Sequence, residues 1–193
     1  MKLSCLRPLA ALLLTLGLAA CGGKASYDVS GTITGLSNEG LVLANGSDTL
    51  PRPAGSTTFT FNKRIDYGTD YNITVLTQPA HMNCSVSGGS GSAGHYLSIN
   101  ALVTCNQNAY KVGGTVSGLT VDGLVLINGN TTTNIVKDST AFTMNGTVAY
   151  GASYGISVFT QPTGLVCKVA PGTGIGTMGE ADVTTVQVTC GPA

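Results

Sequence analysis

Apolar residues alternate with small polar ones in short runs along most of the chain: Val29, Gly31 and Ile33; Phe59 and Phe61; Tyr71, Ile73 and Val75; Ile99, Ala101, Val103 and Cys105. A period of two over runs this short, broken by Gly, Pro, Asn and Asp every eight to twelve residues or so, predicts strands with one dry face and one wet face. Seven strands are expected at 28–35, 40–45, 48–52, 57–63, 70–77, 82–87 and 97–105. Asn45-Gly46 signals a tight hairpin turn, since both residue types tolerate positive φ. Pro51 and Pro53 place the third strand at an edge, where a missing N–H breaks no ladder. Helical periodicity is confined to the N-terminal segment.

The whole pattern then returns. Tyr27-Asp28-Val29-Ser30-Gly31-Thr32-Ile33-Thr34-Gly35-Leu36 reappears as Tyr110-Lys111-Val112-Gly113-Gly114-Thr115-Val116-Ser117-Gly118-Leu119, an offset of 83 residues. The offset holds through Asn45-Gly46 and Asn128-Gly129, Phe59 and Phe142, Tyr67-Gly68 and Tyr150-Gly151, and Thr77-Gln78-Pro79 and Thr160-Gln161-Pro162, to Cys84 and Cys167. Roughly 27 of those 58 aligned positions are identical, more than shared composition produces. The offset slips to 85 afterwards, so that Cys105 matches Cys190. Two copies of one unit are expected, at 27–106 and 110–191, joined by 107–109. Each is expected to be an all-β, seven-stranded antiparallel β-sandwich.

Residues 1–20 are set aside as an export signal: Lys2 and Arg7 precede an apolar run from Leu9 to Ala20 that is too short for a membrane span. Leu18-Ala19-Ala20-Cys21 resembles the lipobox of bacterial lipoproteins. That resemblance implies cleavage before Cys21, acyl chains carried by that Cys, and residues 21–26 as a lipidated Cys and short linker. Several acyl chains at roughly 0.8 kcal/mol per buried methylene form a stable membrane anchor. Gly22 in the following position implies, by similarity to lipoprotein sorting signals, the outer membrane of a bacterial envelope.

Composition narrows the function classes. Charged residues make up 9% of the chain, with 9 Lys plus Arg against 9 Asp plus Glu, where an ordinary domain has about 25%. Removing Lys2 and Arg7 leaves seven basic residues, so no basic surface is available for nucleic acid. The 42% hydrophobic content supplies a core without charge-driven disorder. Cys84 and Cys105, and Cys167 and Cys190, stand at matching places in an exported chain, so a disulfide within each copy is expected.

Catalytic chemistry has little to work with. The two histidines, His81 and His95, have no repeated counterparts, Gly164 standing in the place of His81. No nucleophile, base and orienting partner assemble from such a set. Gly89 to Gly94 and Gly174 to Gly179 match a dinucleotide-loop spacing, but a strand ending in Cys follows each where that loop requires a helix. Asp66 and Asp70 are replaced by Ala149 and Ser153, so no carboxylate pair is duplicated. Those acids, or the Glu39 and Asp122 turns, are sparse ligands for calcium. No metal and no cofactor is expected. The recurring Tyr27, Tyr67 and Tyr71 are assigned to packing at strand starts and corners.

Gly31-Thr32-Ile33-Thr34-Gly35-Leu36, Leu41-Val42-Leu43, Phe59-Thr60-Phe61 and Tyr67 to Val75 with Pro79 resemble the prealbumin-like sandwiches of bacterial surface proteins, including collagen-adhesin B-type stalk repeats and carboxypeptidase regulatory-like domains. The resemblance implies fold more than activity. Some stalk repeats carry a Lys–Asn isopeptide, which is not expected here because Lys111 matches Asp28. The leading expectation is a non-enzymatic, membrane-anchored envelope lipoprotein for adhesion, spacing or complex assembly. It would bind the membrane through its acyl chains, and an envelope or surface protein or glycan through the sandwiches. The alternatives are a glycan-binding lipoprotein using His81 and Tyr96, and an envelope enzyme or enzyme inhibitor.

Overall fold

A computed structural model describes residues 25–95 and 98–193, and all of its regular structure is β. The export signal, Cys21 and Tyr96 lie outside the described residues. The first repeat builds β1 (Ser26–Tyr27), β2 (Val29–Thr34), β3 (Leu41–Asn45), β4 (Asp48–Arg52), β5 (Thr58–Thr60), β6 (Ile65–Asp66), β7 (Asp70–Thr77), β8 (Met82–Ser87), β9 (Ser90–Ser92) and β10 (Ile99–Gln107). The second builds β11 (Ala109–Tyr110), β12 (Val112–Ser117), β13 (Leu124–Asn128), β14 (Thr131–Ile135), β15 (Ala141–Thr143), β16 (Val148–Ala149), β17 (Ser153–Thr160), β18 (Leu165–Val169), β19 (Ile175–Thr177) and β20 (Val183–Pro192).

Each repeat is a sandwich of two four-stranded sheets with a small ribbon beside it. The sheets run β5-β2-β10-β8 and β4-β3-β7-β9, the ribbon is β1-β6, and the second repeat copies all three. The expected seven-stranded antiparallel arrangement is corrected in two respects. Eight strands form each sandwich, because the Gly-Ser stretch Ser90–Ser92 pairs with the start of β7. The first and last long strands, β2 and β10, run parallel, Val29 opposite Ile99 and Ile33 opposite Val103. A parallel pair needs a long crossover, and here the rest of the repeat supplies it.

Alternation buries one side of each strand. Val29, Ile33, Leu41, Leu43, Phe59, Phe61, Ile73, Ala101 and Val103 form the first core. Val112, Val116, Leu124, Leu126, Phe142, Met144, Ile156, Val186 and Val188 form the second. Full burial of such side chains contributes about 1.5–3 kcal/mol each. Phe59 and Phe61 meet edge to face at 5.9 Å. Gly31 is required between β5 and β10, since a Cβ there would lie 2.1 Å from the Ala101 carbonyl oxygen and 2.6 Å from the Phe59 ring. The Pro-bearing strand β4 does lie at a sheet edge. The hairpin turn is shifted by one residue from its signal: Asn45 pairs with Asp48, so Gly46 (φ +60) and Ser47 form the turn. Asn45 instead accepts the Asn72 N–H through Oδ1 at 2.9 Å, as Asn128 accepts that of Gly155.

Both expected disulfides are present. Cys84–Cys105 joins β8 to β10 and Cys167–Cys190 joins β18 to β20, each between directly opposite residues with Cα atoms 3.9 Å apart.

Candidate functional site

The duplicated Thr-Gln-Pro segments serve the disulfide strands. Gln78 accepts the Cys84 N–H at 2.7 Å and donates to the Cys84 carbonyl at 3.0 Å, so its side-chain amide acts as one more residue of the ladder. Gln161 does the same at Cys167, at 2.8 and 3.0 Å. Glu39 and Asp122, weighed as calcium ligands, accept the backbone N–H groups of Ala54 and Lys137 and so brace equivalent turns. Among the described residues no three His, Cys, Asp or Glu side chains converge as a metal ion requires.

Three surfaces differ from ordinary sandwich exterior. The first is an open groove of about 540 Å³ in repeat 1, where Asn45, Asp48, Lys63, Arg64, Asp66 and Asp70 lie along its wall. Arg64 pairs with Asp28 at 3.0 Å and donates to the Ser26 carbonyl at 2.7 Å, while Asp48 accepts the Lys63 N–H at 3.2 Å. The matching space in repeat 2 shrinks to about 20 Å³. There Gly146, Thr147 and Ala149 replace Lys63, Arg64 and Asp66. Asn145 also bonds Thr133 Oγ1 and the Thr132 carbonyl, which draws the loop inward.

The second surface is duplicated. In β7, Val42 faces Thr77 and Leu43 faces Val75, so Leu76 is the extra residue of a β-bulge. In β17, Val125 faces Thr160 and Leu126 faces Val158, which leaves Phe159 in the same position. A bulge turns its extra side chain away from the ladder, and these two are 60% and 63% exposed. Periodicity could not reveal this, because alternation assigns Leu76 and Phe159 merely to a wet face.

The third surface lies where the repeats meet. His81, a loop residue of the alternative glycan-binding reading, stacks on Tyr150 with ring centroids 3.8 Å apart and planes 11° apart. Its Nδ1 lies 2.7 Å from Glu180 Oε1. Tyr67, assigned to packing, is instead 66% exposed. Tyr27 and Tyr110 do pack against their cores. The absence of a repeated partner for His81 was the sequence signal for this asymmetry.

No protein-family model matches the chain, and no curated protein is similar to it at a significant level. Among solved structures it is similar to the Bacillus anthracis TIE protein, at 13% identity and a TM-score of 0.43. The match covers 86% of this chain and 34% of that one, so the chain spans about a third of that protein.

Proposed function

We propose that the chain is a non-enzymatic envelope lipoprotein, held to the membrane through acyl chains on Cys21, whose two prealbumin-like sandwiches form an adhesion or complex-assembly module. The observation that carries this reading is the duplicated bulge. One apolar side chain, Leu76 or Phe159, stands exposed at the same place on each sandwich. Neither Leu76 nor Phe159 belongs to a core, and the recurrence of an exposed apolar side chain at this place on both sandwiches suits docking to a partner. The low charge suits a scaffold whose strands carry Thr, Ser and Asn outward. The anchor rests on the lipobox resemblance alone.

The groove of repeat 1 favours a second reading, a site for a polar ligand such as a glycan, with Arg64 and Asp70 as hydrogen-bonding groups.

Two experiments separate these. Metabolic labelling with an alkyne fatty acid should tag the wild type and leave Cys21→Ser unlabelled and in the soluble fraction; a wild type without label overturns the anchor. Photo-crosslinkers at the exposed neighbours Thr74 and Ser157 in intact cells should capture the same envelope protein, with capture lost when Leu76→Asp/Phe159→Asp is added. Absence of capture at both sites, together with glycan-array binding removed by Arg64→Ala, overturns the assembly reading in favour of the groove.

A further inference from the structure

We propose that His81 is a clasp that locks the two sandwiches into one fixed orientation, and that it works in one direction only. The inference stands without the anchor or the docking reading, because it concerns only the joint.

The chain leaves little slack there. β10 ends at Gln107 and β11 begins at Ala109, so Asn108 alone connects the repeats. Its N–H donates to the His81 carbonyl at 2.8 Å, and its carbonyl accepts the Tyr150 N–H at 2.8 Å. The second of these bonds is part of each repeat's construction, since Ala25 accepts the Tyr67 N–H in the same way. The ring of His81 is what the joint adds.

That ring is held at a backbone cost. His81 has φ +56 at the third position of the turn from Pro79 to Met82, where Gly164 has φ +77 in the second repeat. A side chain in the left-handed region costs on the order of 1–2 kcal/mol, which glycine avoids. Strain of this kind persists where surrounding contacts over-determine it, and the contacts of His81 lie in the other repeat. Its side chain is 32% exposed against the Tyr150 ring. Glu180 is 68% exposed, so the ion pair is a weak part of the clasp and the stack is the stronger one.

The receiving tyrosine and its counterpart meet different partners. In repeat 1, a Cβ added at Gly94 would lie 2.3 Å from the Tyr67 ring, so that ring covers Gly94. The equivalent Gly179 does not share the positive φ of Gly94 (φ +92), and the tyrosine of that repeat, Tyr150, stacks on His81 instead. The far end of repeat 2 carries Gly164 and offers no ring. A head-to-tail contact of this type can propagate into a filament if both ends are complementary. The single histidine confines it to one joint within the chain.

Residual dipolar couplings test the clasp in the full mature chain, with Cys21→Ser for solubility. Wild-type couplings from both repeats should fit one alignment tensor. His81→Gly, which takes the residue found at the equivalent turn, should need two tensors of different magnitude while each repeat still fits its own. His81→Asn tolerates positive φ but brings no ring to stack, and it should uncouple the repeats in the same way. A single tensor retained in both variants overturns the proposal.

Discussion

At the scale of single residues, the duplicated motifs carry structure more than chemistry. Gln78 illustrates this: its amide replaces a backbone unit on the strand that carries Cys84. Gln78→Ala removes two partly buried hydrogen bonds, each worth about 0.5–1.5 kcal/mol, so repeat 1 should lose about 1–3 kcal/mol. Urea unfolding of the variant measures it, and Gln161→Ala should match it in repeat 2. Leu76 and Phe159 are the opposite case. Both are exposed on bulges, so Leu76→Asp/Phe159→Asp should leave stability within about 0.5 kcal/mol while abolishing partner crosslinking. A large drop in the unfolding midpoint would show that they contribute to packing. His81 joins these as a residue whose meaning lies outside its own repeat. Its lack of a counterpart in the second copy was visible in the sequence, but which residue it touches depends on how the two copies meet.

At the scale of elements, the strands that alternate were legible and those that do not were missed. Six of the seven expected strands of the first repeat lie within about two residues of their expected bounds, while the fifth, expected over 57–63, is only Thr58–Thr60; apolar residues at every second position mark a strand wherever one face is buried. Ser90–Ser92 was hidden, since Ser-Gly-Ser buries nothing and is defined only by pairing with Asp70 to Asn72. The ribbon Ser26–Tyr27 with Ile65–Asp66 is too short for any period to register. The parallel pairing of β2 and β10 has no local signal either, because neither strand encodes the direction of a neighbour about 70 residues away. The cysteines were legible because duplication made them pairs. Replacing Cys84 and Cys105 together with Ala should lower the stability of repeat 1 by about 3 kcal/mol through loop entropy in the unfolded chain. Denaturant unfolding with and without reductant checks this, and an unchanged midpoint would mean that the unfolded chain is already constrained.

At the scale of the whole molecule, the question is whether two sandwiches behave as one cooperative body or as two. Their cores share no residue: one runs from Val29 to Cys105 and the other from Val112 to Cys190. Among the described residues, what crosses the joint is one connecting residue with its two backbone hydrogen bonds, a ring stack and an exposed ion pair, which can fix orientation but transmit little folding free energy. Domains joined by so small a contact unfold separately, whereas a shared core would unfold as a unit. Leu43 is fully buried in the first core, and Leu43→Ala should cost repeat 1 about 2–5 kcal/mol. Amide exchange of β2 and β10 in that variant should then accelerate about thirtyfold or more. The amides of β12 and β20 should keep their wild-type protection, because the second core loses nothing. Equal acceleration in both repeats would instead mean that the joint carries folding free energy as well as orientation. The mutation would then be felt through Asn108 and His81, and the clasp would be a structural keystone of the pair.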